Sequence, residues 1–305
     1  MKKVTPIVLF ILFIVGLYWV TDSFKQGKGV PVEDVMDRMF SFTEASVQET
    51  PINDSIAQIT PQTFLFTTAI PGRTNSSQTP IFVMYTLPQV IREFGPRFLR
   101  MRHGNITTIK VDEQVYGLLP KHMFGEDDDL TERLEGLGFT PSVSKDFLTV
   151  RLKEGLQASI TANLFESLDP KQLEGVPCIV QTVNCYDDDP TPFRYVMHGI
   201  LQYITPSEQK ALNEVAMTRE GKKATAGEAE GMFVVRIPDS FSQKVFGMSG
   251  GSVTAIVDGK EYFIGMNDRR LRPIMSDGTT AKWGTFLGIQ PITTGDFPQK
   301  EKIIM

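Results

Sequence analysis

A single serine stands among glycines in the run Gly247-Met248-Ser249-Gly250-Gly251. Glycines let a backbone turn sharply and present a hydroxyl, because a Cβ would block the φ values or close approaches that such a turn requires. In that turn the N–H groups of Gly247 and Ser249 can point at one spot, where the oxyanion of a tetrahedral intermediate would sit. The spacing predicts a nucleophilic serine with its own oxyanion hole, and the alternative is a glycine-rich turn with an incidental serine.

The order of the histidines decides which kind of serine hydrolase this pattern fits. The same five residues satisfy the G-x-S-x-G elbow of the α/β-hydrolases, in which the histidine follows the serine. The chain has three histidines, His103, His122 and His198, and all of them precede Ser249. The elbow is therefore excluded, and the remaining common order is His, Asp, Ser.

His122 is the predicted general base. It follows the apolar strand from Val115 to Leu119 and opens a short segment that does not have the pattern of a strand. His103 precedes a glycine at the entrance of another strand and is the second choice. His198 lies inside a later strand, which favours a packed or edge residue over a base.

Asp146 is the predicted acid, because it begins the run DFLTVRL, whose apolar residues alternate along the strand. Its carboxylate would accept the imidazole Nδ1–H, fix the tautomer and stabilise the cation that forms when the base takes the serine proton. The acidic run 126–129 is nearer to His122 in sequence, but adjacent carboxylates repel each other and are typical of a solvated loop.

With these residues in place, the chain resembles the chymotrypsin-like serine peptidases over roughly 63–294. The resemblance is carried by KHMF around His122, DFLTVRL from Asp146 and GMSGGSV around Ser249. It implies a double β-barrel with the site in the crevice between the lobes, and cleavage of protein or peptide substrates through an acyl-enzyme, without a metal or another cofactor. It also implies that the strand after the nucleophile pairs with the substrate backbone, and the residues predicted to bind it are Ile264, Gly265 and Met266.

Two alternatives stay open. The residues before His122 are Pro120 and Lys121, where the family usually has small residues, and this departure motivates a catalytically inactive binding or scaffolding module at the membrane. A Ser-Lys hydrolase is the other alternative, with Lys244 or Lys260 as the base.

Short apolar runs divided by turn residues dominate the chain from residue 63 onward, and they predict a mainly β protein. They fall into two blocks of about six strands, which together with the resemblance predicts two six-stranded antiparallel β-barrels of chymotrypsin-like type, preceded by a transmembrane helix. The predicted lobes span 63–170 and 171–298, with a tail at 299–305. Asp258-Gly259 is predicted to join two strands as a hairpin, and a helix is predicted to start at Pro206.

The first residues have the pattern of a membrane anchor, assigned to 1–21. Two lysines precede an uncharged run over 4–20, which reaches the low end of spanning length and lacks a cleavage site for a signal peptidase. The lysines predict a cytoplasmic N-terminus and a catalytic domain on the periplasmic, extracellular or lumenal side. A cleaved signal peptide is the alternative.

Residues 22–62 are predicted to be a linker with a short amphipathic helix, whose apolar residues recur at helical spacing from Val32 to Phe40. The polar stretch 46–62 has no strand pattern. Cys178 and Cys185 are the only cysteines, and they are predicted either to close a small loop as a disulfide or to be buried thiols.

The charge balance excludes a nucleic-acid partner. The 305-residue chain has a formal net charge of −5 and no dense run of lysine or arginine that could follow a phosphate backbone. The sequence does not indicate an oligomeric state.

Overall fold

The structure is a computed structural model that describes part of the chain. The described residues are 30–51, 63–67, 83–86, 103–121, 139–141, 147–151, 162–184, 193–215, 231–241, 244, 248–271 and 285–297. Of the predicted site residues, Ser249 and Ile264 to Met266 lie inside these ranges, whereas His122, Asp146 and Gly247 lie outside them.

An N-terminal arm, residues 30–51, begins the described chain. It contains helix α1 (Val32–Phe40) and strand β1 (Ser46–Pro51). Helix α1 buries Val35 and Met39 on one face, as its apolar spacing predicts, and the opposite face is acidic and exposed.

The first sheet holds six strands in the order β3-β2-β4-β5-β7-β6, and every pair is antiparallel. These strands are β2 (Thr63–Thr67), β3 (Val83–Thr86), β4 (His103–Val111), β5 (Gln114–Pro120), β6 (Phe139–Pro141) and β7 (Phe147–Arg151). The pairing of β5 with β7 ends at Pro120 opposite Phe147, so the end of β5 and the start of β7 lie side by side.

The second sheet holds nine strands, in the order β1-β10-β9-β13-β14-β15-β12-β11 with β8 parallel to β14. Apart from β1, its strands follow the first sheet along the chain. They are β8 (Asn163–Leu164), β9 (Pro177–Asn184), β10 (Phe193–Ile200), β11 (Gln202–Ile204), β12 (Met232–Ile237), β13 (Ser252–Val257), β14 (Lys260–Leu271) and β15 (Thr285–Pro291). Helix α2 (Pro170–Leu173) precedes β9, and helix α3 (Pro206–Val215) precedes β12.

The second sheet curls, so that strands far apart in its order meet across a core. Gly199 of β10 packs on β12, because a Cβ at Gly199 would lie 2.5 Å from Val235 Cγ1 and 3.1 Å from Ala45 Cβ. Buried side chains from six strands fill the inside of this curl, among them Val180, Tyr195, Val235, Val253, Ile264 and Leu287. The result is a half-barrel.

The two sheets share a second core where they meet. Ile109, Leu118 and Phe147 from the first sheet pack with Phe263 and Met266 from the second. Side chains from both sheets are fully buried there, so the contact between them is apolar and continuous.

The mainly β prediction is confirmed, and so are the helix at Val32 to Phe40 and the hairpin at Asp258-Gly259. Two expectations need correction. Residues 46–51 are not linker, because β1 pairs along its whole length with β10. The second sheet has nine strands rather than six, since β1, β8 and β11 add to it. Strands β8 and β11 are only two and three residues long, and β1 has no apolar alternation to reveal it.

The described residues contain no helix that is both long enough and apolar enough to cross a membrane. The predicted anchor at 1–21 lies outside them. Cys178 is a free, buried thiol whose pKa is raised to about 12 because burial disfavours the thiolate. Cys185 is not among the described residues.

Candidate functional site

Ser249 lies in a turn immediately before β13, where the two sheets meet. The residue is half-buried, while Met248 before it and the two glycines after it are buried. The turn is therefore fixed in the protein and leaves only the serine within reach of solvent.

Gly250 is the residue that makes this turn possible. Its φ is +89°, which is in the region that L-residues with a side chain rarely adopt, and a Cβ there would overlap the carbonyl oxygen of Asn105. The same Cβ would lie 3.1 Å from Pro120 Cδ, at the end of β5. The turn thus packs directly against two strands of the first sheet, and no larger residue fits.

Side chains and amides from both sheets hold the turn. The amide of Asn105 donates to Ser249 O at 2.7 Å, and the hydroxyl of Thr107 donates to Gly250 O at 2.7 Å. From the second sheet, the hydroxyl of Thr182 donates to Met248 O at 3.1 Å. Three consecutive carbonyl groups of the turn therefore point away from the serine amide and into the protein.

Strand β14 closes the other side of the turn. The Gly250 amide donates to Asn267 O at 2.8 Å, and the Asn267 amide donates to Gly251 O at 2.8 Å. Gly251 packs tightly as well, since a Cβ there would lie 2.7 Å from Thr182 Cβ. Ser249 is thus presented by a rigid loop rather than by a flexible one.

The backbone amides of the turn differ in whether they donate a hydrogen bond to another described residue. Those of Gly250 and Gly251 donate to backbone carbonyl groups, whereas the Ser249 amide has no acceptor within the described part of the chain. An amide left without an acceptor beside a serine hydroxyl is what one half of an oxyanion hole requires. Gly247, the predicted second half, lies outside the described residues.

The hydroxyl of Ser249 donates to the backbone carbonyl oxygen of Asp268 at 3.1 Å. Asp268 lies on β14 where its pairing with β15 is irregular, because Asn267 pairs with Ile289 and Arg269 with Gly288. Asp268 is therefore the extra residue of a β-bulge, and only 2 % of it is exposed. A buried carboxyl residue thus lies directly beside the candidate nucleophile.

The described residues nearest in sequence to His122 and Asp146 lie beside the turn that carries Ser249. Pro120, two positions before His122, pairs with Phe147, one position after Asp146, and a Cβ on Gly250 would touch Pro120. His103 opens β4 and pairs with Thr67. His198 is exposed on β10 opposite Ser46, away from the turn in the strand order.

Ile264, Gly265 and Met266 do not offer a free sheet edge, which corrects the expectation that a substrate strand adds there. Gly265 pairs with Val253 of β13 on one side and with Pro291 of β15 on the other, and Met266 is likewise paired on both sides. Ile264 and Met266 are fully buried. The backbone groups of Gly265 and Met266 are thus already used inside the sheet, and Ile264 O accepts from the Ile292 amide at 3.0 Å.

The sequence did not single out Asn105 and Thr107 as parts of the site. Polar residues at alternate positions of β4 were the available signal for Asn105 and Thr107, since residues two apart share one face. Both are buried, which requires hydrogen-bond partners.

Neither Lys244 nor Lys260, the candidate bases of the Ser-Lys hydrolase, is placed as a base for Ser249 would be. Lys244 Nζ lies 2.6 Å from Glu49 Oε1, so its ammonium group is in an ion pair with β1. Lys260 is exposed beside the hairpin turn and pairs with Val257, five positions along β13 from Ser252. At 3.2–3.4 Å per residue that is roughly 17 Å from the start of the strand.

Among the described residues, no group of three His, Cys, Asp or Glu side chains is arranged to hold a metal ion. Comparison with protein-family models finds no match to this chain, and comparison with curated proteins finds none either.

Proposed function

We propose that this chain is a membrane-anchored serine endopeptidase of the chymotrypsin-like kind, with Ser249 as its nucleophile. The observation that carries the proposal is the Ser249 turn. It is locked between two β-sheets, its serine amide has no acceptor among the residues that the structure describes, and its glycine at position 250 has a φ of +89°. A turn built only for connection would not need this arrangement.

The assignments of His122 and Asp146 are supported by chain length. Consecutive Cα atoms are 3.8 Å apart, so Asp146 lies one step from Phe147 and His122 two steps from Pro120. Phe147 and Pro120 pair with each other, and Pro120 borders Gly250. The described residues on either side of the two predicted positions therefore lie beside the turn that carries Ser249, which supports both assignments.

In the proposed reaction, Ser249 Oγ attacks the carbonyl carbon of the scissile peptide bond while its proton passes to the His122 imidazole. The Asp146 carboxylate holds the imidazole, and the amides of Ser249 and Gly247 donate to the oxyanion. The C–N bond then breaks, and the imidazolium gives its proton to the leaving amine. Water attacks the acyl ester by the same steps, which releases the acid and restores the Ser249 hydroxyl.

Substrate addition fits residues further along β14 than Ile264 to Met266. Arg269, Arg270 and Leu271 pair with β15, but the pairing of β14 with β13 ends at Met266. On that side, no strand among the described residues pairs with Arg269–Leu271. A peptide that adds as a strand there would run past Asp268 and Ser249, which suits an endopeptidase.

The proposed anchor restricts the substrates. Strand β1 pairs within the second sheet and helix α1 packs on it, and eight residues, 22–29, separate the proposed anchor from the first described residue. Eight residues span at most about 30 Å when fully extended. The catalytic domain therefore stays near the bilayer on the periplasmic, extracellular or lumenal side, and its substrates are proteins or peptides close to that surface.

One observation favours the alternative of an inactive binding or scaffolding module. The Ser249 hydroxyl donates to the carbonyl of Asp268, and a serine in catalysis must instead donate to its base. The two functions differ in whether the hydroxyl can react, which a chemical probe measures without knowledge of the substrate.

The test is labelling of the purified full-length chain with a fluorophosphonate probe. We expect one label on Ser249, located by mass spectrometry, and none in Ser249→Ala. His122→Ala should lower the labelling rate by about 10²–10⁴-fold because the general base is lost. His198→Ala is the matched control, exposed on β10, and should label at the wild-type rate.

Each other outcome identifies another function. Wild-type protein that is folded by circular dichroism but does not label would support the inactive module. A labelling rate unchanged in His122→Ala and lost in Lys244→Ala would support the Ser-Lys hydrolase.

A further inference from the structure

Asn267 of β14 lies directly beside the turn that carries Ser249. Its amide donates to Gly251 O and its carbonyl oxygen accepts from the Gly250 amide, both at 2.8 Å. Hydrogen-bonded strands run about 5 Å apart, so one strand spacing separates the Asn267 backbone from the turn. A substrate residue whose carbonyl carbon meets Ser249 Oγ is therefore a near neighbour of Asn267.

The strand pairing fixes the direction of the Asn267 side chain. Directly opposed residues of an antiparallel pair have their side chains on one face of the sheet, and Asn267 is opposite Ile289. Ile289 belongs to the core inside the half-barrel, whereas Met266, the residue before Asn267, packs in the core between the two sheets. Both relations place the Asn267 carboxamide on the inner face of the half-barrel.

The Asn267 carboxamide is a buried hydrogen-bond donor without an acceptor. Only 2 % of the residue is exposed, and Nδ2 has no hydrogen-bond partner within the described part of the chain. Asn105, which is also buried, differs, because its Nδ2 donates to Val183 O and its Oδ1 accepts from the Val183 amide. An unpartnered buried donor destabilises a fold, so its presence beside a nucleophile requires an explanation in terms of function or of bound water.

We propose that Asn267 Nδ2 donates to the side chain of the substrate residue on the acyl side of the scissile bond, and thereby selects glutamine there. The inner face of the half-barrel is apolar, and it disfavours a carboxylate because one neutral amide does not offset the loss of hydration. Glutamine offers a neutral carbonyl acceptor on a longer side chain than asparagine does. This inference rests on the proposed function and names its substrate class.

Met248 is the neighbour that the substrate side chain would displace. It precedes Ser249, its carbonyl oxygen accepts from the Gly251 amide at 3.2 Å, and its side chain is fully buried in the same core as Ile289. Methionine adapts its shape more readily than a branched residue, because it has three rotatable bonds and no branch. The proposal therefore assigns to Met248 the space that the glutamine side chain takes.

The experiment compares two peptidyl diphenyl phosphonates that are identical except for glutamine or methionine next to phosphorus. The two side chains have nearly the same length, but only glutamine has a carbonyl acceptor. In the reaction Ser249 Oγ forms a bond to phosphorus, the P–O bond to one phenoxide breaks, and phenol leaves with the hydroxyl proton. With the purified full-length chain we expect the glutamine probe to react about tenfold faster, as expected for one further buried hydrogen bond.

Asn267→Leu separates recognition from packing. Leucine has a similar size and no donor, so the ratio of the two rates should fall to about one or turn in favour of methionine. Asn163→Leu is the matched control, on the exposed side of β8, and should keep the wild-type ratio.

Equal rates of the two probes with wild-type protein would overturn the proposal, whether or not Asn267→Leu folds, and a water trapped at the Asn267 amide would give that result. A wild-type ratio retained in Asn267→Leu would also overturn it. Protein that reacts with fluorophosphonate but with neither peptidyl probe contradicts glutamine as the selected residue. Wild-type protein that does not react with fluorophosphonate overturns the proposed function itself.

Discussion

At the scale of single residues, Gly250 and Gly259 show that two glycines with the same backbone conformation have different roles. Both have positive φ, +89° and +74° respectively. A Cβ added at Gly259 would meet nothing within 4 Å, whereas at Gly250 a carbonyl oxygen of β4 occupies that space. Gly259 serves only the hairpin turn, and Gly250 lets the Ser249 turn approach the first sheet.

Gly250→Ala should therefore disrupt the site far more than Gly259→Ala. An alanine at position 259 costs only the left-handed conformation, about 1 kcal/mol. At position 250 the methyl group must also displace the backbone of Asn105 or of Ser249. We expect a larger loss of thermal stability and a loss of fluorophosphonate labelling in Gly250→Ala, measured by melting curves and by labelling rates.

Gly259→Ala should retain the wild-type labelling rate. Equal labelling rates in the two alanine variants would mean that the close approach of Gly250 to the first sheet does not shape the site.

The same comparison shows what a sequence can predict at this scale. A glycine-flanked serine is visible in the sequence, because the constraint on φ is local. The roles of Asn105 and Asp268 are not visible in the sequence. Asn105 contacts Ser249, which is 144 positions away, and Asp268 lies in a bulge that no residue type signals. Burial of their polar groups exists only once the sheets have met.

At the scale of elements, the N-terminal arm is part of the second sheet. Helix α1 packs Val35 and Met39 against a cluster that includes Val234 and Phe286. Arg38 adds an ion pair to Glu208 of α3 at 2.8 Å. The arm therefore packs on the outer face of the half-barrel.

Arg236 of β12 also binds the N-terminal arm. Its guanidinium donates to the carbonyl groups of Phe40 and Phe42, and it forms an ion pair with Glu44 at 2.8 Å. The Ala45 amide donates to Arg236 O at 2.8 Å. These contacts turn the chain from α1 into β1, which explains why a polar segment without apolar alternation is ordered as a strand.

Met39→Ala tests whether the arm stabilises the domain. Met39 is fully buried, so its truncation should cost about 2–5 kcal/mol in the free energy of unfolding. Asp37→Ala, on the exposed face of the same helix, should change it by no more than about 0.5 kcal/mol. Urea unfolding of the full-length chain measures both, and equal midpoints would show that the arm contributes little.

At the scale of the whole molecule, Asn105 connects the two sheets at the site. Its amide holds Ser249 O, its Nδ2 donates to Val183 O at 3.1 Å, and its Oδ1 accepts from the Val183 amide at 2.9 Å. One buried side chain thus ties β4 to β9 while its backbone ties β4 to the nucleophile turn. The relative position of the sheets and the position of Ser249 are set together.

Asn105→Ala should lower both stability and reactivity. The variant leaves the amide and carbonyl of Val183 without these partners, at about 1–3 kcal/mol for each buried group. Asn163→Ala is the control, since that exposed residue makes a hydrogen bond to Glu261 O within the second sheet and should cost at most about 1 kcal/mol. Melting curves and labelling rates measure the effect, and a stable Asn105→Ala with a wild-type labelling rate would contradict it.

The sequence by itself determined the mainly β architecture, most of the strands of both sheets and the nucleophile candidate. These follow from local physics: alternation of apolar residues, turn chemistry at Asp258-Gly259 and the conformational freedom of glycine. Only the tertiary structure decided that 46–51 is a strand, that Ile264 to Met266 are inside a sheet, and that Asp268 borders Ser249. Those facts depend on which strands are neighbours and which groups are buried, and neighbours distant in sequence leave no local signal.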